Sequence, residues 1–442
     1  MFALTTYRHA ESGSLRPKST RYGCYALLFF ASIVCLASTW YFAYAIAPTA
    51  LSADGPAIVP DLYPAWYASH QVLFNHGDPY GPEVTRQIQI AMLGQALDAD
   101  SKIRNQQRFA YPVYSVFLFA PFAMLRFENA QTVALVVILA LTILSVWWWT
   151  SRSSPPRLRI LLVVFALASY PIVLGMQLRQ PTLMVTALLA AVVYSLRSHR
   201  MALAGCLAAA ATIKPQLAIA VLVPLLIWSL GDWRSRRRFT LSFAACECAL
   251  LAASQALLPG WFPRWIQTLG AYAHYAGAKP YLSVFGTGGL QAGAAACLLA
   301  AVVWVSWRLR EEDPMLAICF SITAFQLVFP FVMYNEAMLL PAVLWLVLTT
   351  DKGSNGNQLF TLLHTMVWIT LTAEWVAIFG LSLTNLLHPG SAGKFIAFAL
   401  VPIWFLPIAM FAAFAGHAAK SLSGVTIVAP ALSCQNHAPQ NG

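Results

Sequence analysis

Ala130-Gln-Thr-Val-Ala-Leu-Val-Val-Ile-Leu-Ala-Leu-Thr-Ile-Leu-Ser-Val-Trp-Trp-Trp-Thr150 is a run of 21 residues without a formal charge. At 1.5 Å per helical residue it reaches about 31 Å, which matches the ~30 Å hydrocarbon layer of a bilayer. Working outward, apolar runs of this kind recur at 23–47, 158–174, 181–196, 201–213, 215–231, 239–258, 290–308, 314–332, 336–349, 359–382 and 395–416. The chain is 59% hydrophobic and 10% charged, with a mean hydropathy of +0.65. A soluble domain carries about 25% charged residues, so this chain has too few to cover itself in water. Backbone polar groups in hydrocarbon must be satisfied internally, and runs this long do so as helices. The predicted fold is all-α: a polytopic membrane helix bundle of about twelve transmembrane helices. It would form a single unit over 23–420, between an N-terminal tail (1–22) and a C-terminal tail (421–442), both cytoplasmic.

The net charge of +11 is read through this frame. The basic residues fall in short clusters between apolar runs, which encodes topology and not nucleic-acid binding. With the N-terminus inside, Arg152, Arg157, Arg159, Arg197, Arg200, Arg234, Arg236, Arg237, Arg238, Arg308, Arg310 and Lys352 fall on inner turns. Arg179, Lys214, Arg264, Lys279 and Lys394 fall on outer ones. That contrast holds only if the short run 112–126, bracketed by Pro112 and Pro121, is re-entrant and adds no crossing. The apolar run 23–47 is too long for a cleaved signal and is expected to stay as the first span. The cysteines show no metal-finger spacing and sit mostly in apolar runs, so no disulfide framework is expected.

The predicted outer face is the elaborated one. Residues 48–111 form a long loop with Asp54, Asp61, Asp78, Glu83, Asp98 and Asp100 and many aromatics. Its stretches 62–76 and 82–98 have the spacing of amphipathic helices lying on a membrane surface. A second loop, 259–289, is rich in Trp and Tyr. Long loops on compact scaffolds carry function, so the chemistry is expected outside.

Asp61 can be read as a helix N-cap or as a general base with its pKa raised by desolvation. Lys214, between two apolar runs, either snorkels or holds an anion such as a lipid phosphate. Gln177, Arg179 and Gln180 lie on the same face and can bond phosphate or sugar hydroxyls. Asn335-Glu336 lies beside Pro330 and Pro341 at that boundary, and an acid so near hydrocarbon is a functional candidate or a partner of Lys214 or Arg179. Asp78 belongs to a Gly-Asp-Pro-Tyr turn. Asp98-Ala-Asp100 has the letters of a metal-binding pair without a nucleotide fold around it. Glu247 and Glu374, mid-span, would suit a transporter relay or a hydrogen-bonded structural role. Hence a second class stands beside an enzyme: a multi-spanning transporter or lipid flippase, which would show inverted repeats and broken helices.

Taken in order, these pieces resemble glycosyltransferase family 87, the DUF2029 family. Asp61-Leu-Tyr-Pro-Ala-Trp-Tyr67-Ala followed by Leu73-Phe-Asn-His-Gly-Asp78-Pro-Tyr80 resembles its D-x-x-x-Y-x-A…L-x-G-x-D-P-Y signature. Phe109-Ala-Tyr111-Pro112 is similar to its Y-P-P segment, although Val113 replaces the second proline. Gln177 and Gln180-Pro-Thr-Leu resemble its G-Q-x-N-x-L turn, Ala211-Thr-Ile-Lys214-Pro-Gln216 its K-P element, and Tyr334-Asn335-Glu336…Pro341 its later outer motif. A His-containing motif of the mannosyltransferase branch is replaced here by Tyr334-Asn335-Glu336.

The resemblance implies a GT-C enzyme of the cell inner membrane with no cofactor. It would move a hexose or pentose, mannose-like first, from a polyprenyl-phosphate donor to a lipid or glycan acceptor at the outer face. It implies Asp61 as base with Glu336 as the second catalytic candidate. Lys214, Arg179, Gln177, Gln180, Tyr67, Asp78, Tyr80, Tyr111 and Asn335 would contact substrate.

Overall fold

A computed structural model describes residues 18–48, 60–97, 107–150, 155–275, 279–286, 288–330, 332–353 and 358–423. Asp54, Asp98, Asp100 and Arg152, with most of both tails, lie outside the described residues. Among the described residues there are 17 α-helices and no strand. In chain order they are α1 Lys18–Tyr41, α2 Leu62–Phe74, α3 Pro82–Leu93, α4 Ser115–Ala123, α5 Phe127–Trp149 and α6 Pro156–Leu167. There follow α7 Tyr170–Gln177, α8 Pro181–Arg197, α9 Met201–Ala211, α10 Pro215–Gly231, α11 Trp233–Leu257 and α12 Trp261–Tyr275. The last five are α13 Gly289–Arg308, α14 Met315–Val328, α15 Leu340–Gly353, α16 Gln358–Leu387 and α17 Ile396–Leu422.

Each of the twelve predicted runs is occupied by a helix or a pair of them. Five elements are singly long and apolar enough to cross a membrane: α5, α11, α13, α16, and Ala392–Leu422, which contains α17. A sixth is the pair α6 and α7, bent by 64°. The remaining apolar helices are shorter. At 11 residues α9 spans only about 16 Å, half of a bilayer core. The nine-residue α4 spans about 13 Å, as expected for the re-entrant reading of 112–126. The two surface helices of the first loop appear as α2 and α3.

α5 shows how an apolar run chooses its inner face. Ala130, Ala134, Ile138, Thr142, Ser145, Val146 and Trp149 are buried, mostly four residues apart and mostly small. That spacing places them on one stripe. Val133, Val136, Ile143, Leu144 and Trp147 face outward. Small residues inside and branched residues outside is the arrangement that lets helices approach in lipid, where apolar burial alone does not drive them together. α9 and α11 pack closely at Gly205, where an added Cβ would come within 2.1 Å of Ser242 Oγ and 2.4 Å of the Phe239 carbonyl.

Where helices break, side chains satisfy the freed backbone. At the α6–α7 bend, the Ala168 carbonyl accepts from Thr39 Oγ1 and Trp375 Nε1, each at 2.9 Å, and the Leu167 carbonyl from Trp40 Nε1 at 3.2 Å. Glu374 accepts the Tyr170 backbone N–H at 2.9 Å. At the end of α4, Trp66 Nε1 donates to the carbonyls of Phe122 and Leu125, both at 3.1 Å, which fastens surface helix α2 to the bundle.

The two elaborated loops are tied together. Arg264 of α12 pairs with Asp78 at 2.6 Å, and Trp265 Nε1 donates to the Ala110 carbonyl. Tyr114, before α4, donates its hydroxyl to the Thr212 carbonyl in the turn leading to Lys214. Arg197, Arg236 and Arg310 gather at the other end of α8 and α10. There Arg197 donates to the Trp149 carbonyl, and Arg236 to the carbonyls of Trp228 and Arg310. Arg179 and Lys214 thus precede α8 and α10, while Arg197 and Arg234–Arg238 lie at the other ends of the same two helices.

Candidate active site

Two helix starts converge on one spot. α8 opens at Gln180-Pro181 and α10 at Lys214-Pro215, each with proline at the first helical position, where its fixed φ and missing N–H cost nothing. The turn before α8 is a Schellman closure: Gln180 N–H donates to Gly175 O at 2.7 Å and Arg179 N–H to Met176 O at 3.1 Å. The residue in the left-handed conformation is Arg179, φ +50°, where glycine is usual. A side chain is kept there at a cost of about 1–2 kcal/mol. Its guanidinium folds back onto the Gln177 carbonyl.

The Gln180 side chain joins the two predicted charges. Its Nε2 donates to Asp61 Oδ2 at 2.6 Å, and its Oε1 accepts from Lys214 Nζ at 3.2 Å. Asp61 and Lys214 are therefore one amide apart, about 8 Å at most. Lys214 is buried and also donates to Thr182 Oγ1 at 2.5 Å and, more weakly, to Asn335 Oδ1 at 3.5 Å. The Tyr334 ring lies 5.1 Å from its ammonium. All direct partners in this set are neutral, so they orient the cation without neutralising it. Burial pushes the Lys214 ammonium below its usual range, with the Asp61 charge opposing. Burial pushes the Asp61 carboxyl above the usual carboxylate range, opposed by the Gln180 hydrogen bond and by Lys214.

The N-cap reading of Asp61 is corrected. Its backbone is already helical, φ −62° and ψ −7°, and its side chain makes no cap bond, being turned to Gln180 instead. Glu336 is not an ion-pair partner of Lys214 or Arg179. It is buried, Tyr281 donates to Oε1 at a weak 3.4 Å, and Oε2 has no hydrogen-bond partner among the described residues. Asn335, next to it, does reach the cluster. Thr182 was missed: it bridges Lys214 and Asn335, donating to Asn335 Oδ1 at 3.0 Å. A threonine at a helix start has no signal of its own, although it stands inside the Gln180-Pro-Thr-Leu turn.

The remaining predicted residues stand apart from this cluster. Asp78 accepts the Tyr80 N–H at 3.0 Å besides pairing with Arg264, and the Tyr80 hydroxyl donates to the Tyr111 carbonyl at 2.7 Å. Tyr111 packs on Phe109 and Phe119, and Tyr67 stacks on Tyr63. Gln177 is buried in α7. Beside Lys214, a cavity of about 110 Å³ runs between α10 and α14, lined by Leu217, Ala220, Ile322, Phe325 and Phe329 with Asn335 at its polar end. The mid-span acids are both engaged: Glu374 at the α6–α7 break and Glu247 with Thr212 Oγ1 at 3.1 Å.

No curated protein matches the chain. A family model described as glycosyltransferase family 87 matches residues 109–333, just over half of it, and so contains Tyr111, Gln177, Arg179, Gln180 and Lys214. Asp61, Asp78 and Tyr80 precede the matched stretch, while Asn335 and Glu336 follow it directly. With an all-helical apolar bundle and this match over half its length, the chain belongs to glycosyltransferase family 87.

Proposed function

We propose that this membrane glycosyltransferase takes a sugar, mannose-like first, from a polyprenyl-phosphate donor and transfers it to a hydroxyl of a lipid or glycan acceptor at the outer face of the inner membrane. The observation that carries the reading is the Asp61–Gln180–Lys214 chain at two convergent helix starts. Helix N-termini present free N–H groups and a partial positive charge, which favour phosphate. A buried lysine among neutral acceptors adds positive charge there when protonated, and a bound phosphate favours that form. The apolar cavity between α10 and α14 leaves Lys214 along a path suited to the first isoprene units.

The acceptor O–H loses its proton to Asp61 as its oxygen bonds to the anomeric carbon. The bond from that carbon to the phosphate oxygen breaks, and its electron pair leaves with the lipid phosphate. Lys214 stabilises the leaving charge, with Arg179 as the second candidate for that role. Phosphate is already a good leaving group, so one base suffices, and a single displacement inverts the anomeric centre. Asn335 and Thr182 hold the ammonium in place. The transporter reading gains one observation, the bent α6–α7 pair, but Glu374 and three donors occupy that break.

The test is transfer by purified protein from a panel of radiolabelled polyprenyl-phosphate sugars, with nucleotide sugars alongside. Incorporation from a lipid-phosphate donor, weakened in Lys214→Ala, is expected. Incorporation from nucleotide sugars alone would sink the donor assignment.

A further inference from the structure

The end of the bundle opposite the Asp61 cluster holds a larger cavity, about 840 Å³, between α8, α9, α10, α11 and the start of α14. That volume falls within the range of small-molecule sites. Its wall includes Arg197, Arg200, Arg234, Arg236, Arg237 and Arg238. Arg197 and Arg236 are used by backbone carbonyls. Arg200, Arg234, Arg237 and Arg238 make no ion pair among the described residues. The two acids on the wall are already engaged: Asp232 caps α11 through Ser235, and Asp313 accepts the Met315 N–H at 2.9 Å. Two helices, α9 and α11, begin at the cavity and two, α8 and α10, end there, so the helix dipoles offset one another and the arginines supply the positive potential.

We infer that this cavity binds the phosphate of an anionic phospholipid headgroup. Topology alone requires basic residues at one end of the helices, and they can lie on a flat surface. It does not require six of them to line one concavity and outnumber its two acids, Asp232 and Asp313. Guanidinium groups match phosphate oxygens in pairs, and six arginines line this wall, with His199 beside them. Leu203 on the wall is exposed, and so are Leu230 and Trp233, which flank the lining residue Asp232 in sequence, leaving apolar surface for an acyl chain. α8 and α10 have 17 residues each, which puts this site about 25 Å from the Lys214 cluster and in the opposite leaflet. Basic pockets between helices on the cytoplasmic side are suited to such headgroups.

The experiment uses the full chain, purified and delipidated in a zwitterionic detergent. Thermal unfolding and native mass spectrometry are read with added phosphatidylglycerol, phosphatidylcholine or inorganic phosphate. Phosphatidylglycerol should raise Tm by a few degrees and remain bound at least tenfold more than phosphatidylcholine, whose choline offsets its phosphate. The variant Arg200→Gln/Arg234→Gln/Arg237→Gln/Arg238→Gln should lose that preference, and the milder Arg234→Gln/Arg237→Gln should reduce it if the fourfold variant does not accumulate. An equal shift from millimolar inorganic phosphate would assign the phosphate site to a soluble ligand and overturn the lipid. Equal retention of both lipids, or an unchanged preference in the variants, would overturn the site.

Discussion

At the residue scale, the proposed base is tested by one substitution. Asp61→Asn keeps the size and leaves Gln180 a partner, but it cannot take a proton. General base catalysis contributes roughly 10²–10⁴-fold, so the initial rate at saturating donor should fall by about that much while the amount of folded protein stays level. Because Asp61 makes no cap bond, the helix start gives no reason for loss of fold. Near-normal turnover would move the base to Glu336. The raised carboxyl pKa fixes the sign of the pH dependence. The base form is lost as pH falls through a value above the ordinary 3.8. Lys214→Met removes the charge that favours the carboxylate, so the acid limb of the kcat profile should move to higher pH while the donor KM rises. An acid limb left in place would separate the two residues. Lys214 was legible because an isolated charge stands out between two apolar runs, and Asp61 because it opens the D-x-x-x-Y-x-A stretch. Thr182 was not, and the partner that joins the two charges, Gln180, could be named but not aimed, because its direction depends on an arginine held in a left-handed turn.

At the element scale, the sequence located every apolar run and both surface helices, since hydropathy and periodicity are local properties. Runs such as 201–213 already fall short of the ~20 residues a crossing needs, but how these short helices pack was not legible, because that depends on neighbours. Gly205 is such a neighbour effect. Any side chain there meets Ser242 and the Phe239 carbonyl of α11. Gly205→Val should cost about 1–3 kcal/mol by overpacking, read as a lower Tm in detergent. Gly293, in α13, has no atom within 4 Å of an added Cβ. Gly293→Ala should therefore be neutral or stabilising by up to about 1 kcal/mol. Equal effects at the two sites would contradict the close α9–α11 approach.

For the whole molecule, the arrangement of charge makes a topological statement. The arginine-lined cavity and the Asp61 cluster occupy opposite ends of α8 and α10. One orientation must therefore serve both, and the positive-inside rule favours the arginine end in the cytoplasm. Reporter fusions after Arg200 or Arg238 should read as cytoplasmic, and a fusion within α3 as external. A cytoplasmic signal from α3 would place the proposed chemistry on the wrong side for its donor.

The satisfied break between α6 and α7 has a consequence on the time axis. A bend in a helix ordinarily marks a place where amides trade hydrogen for deuterium quickly. Here the Tyr170 amide is held by Glu374, and the carbonyls before it are held by Thr39, Trp40 and Trp375. Opening it would strand several buried polar groups at roughly 1–3 kcal/mol each. Peptides covering 168–172 should therefore exchange as slowly as the middle of α8, and Glu374→Ala should speed them while Glu374→Gln does not. Rapid exchange in the unaltered protein would mean that the two halves swing about this bend, as a transporter's would.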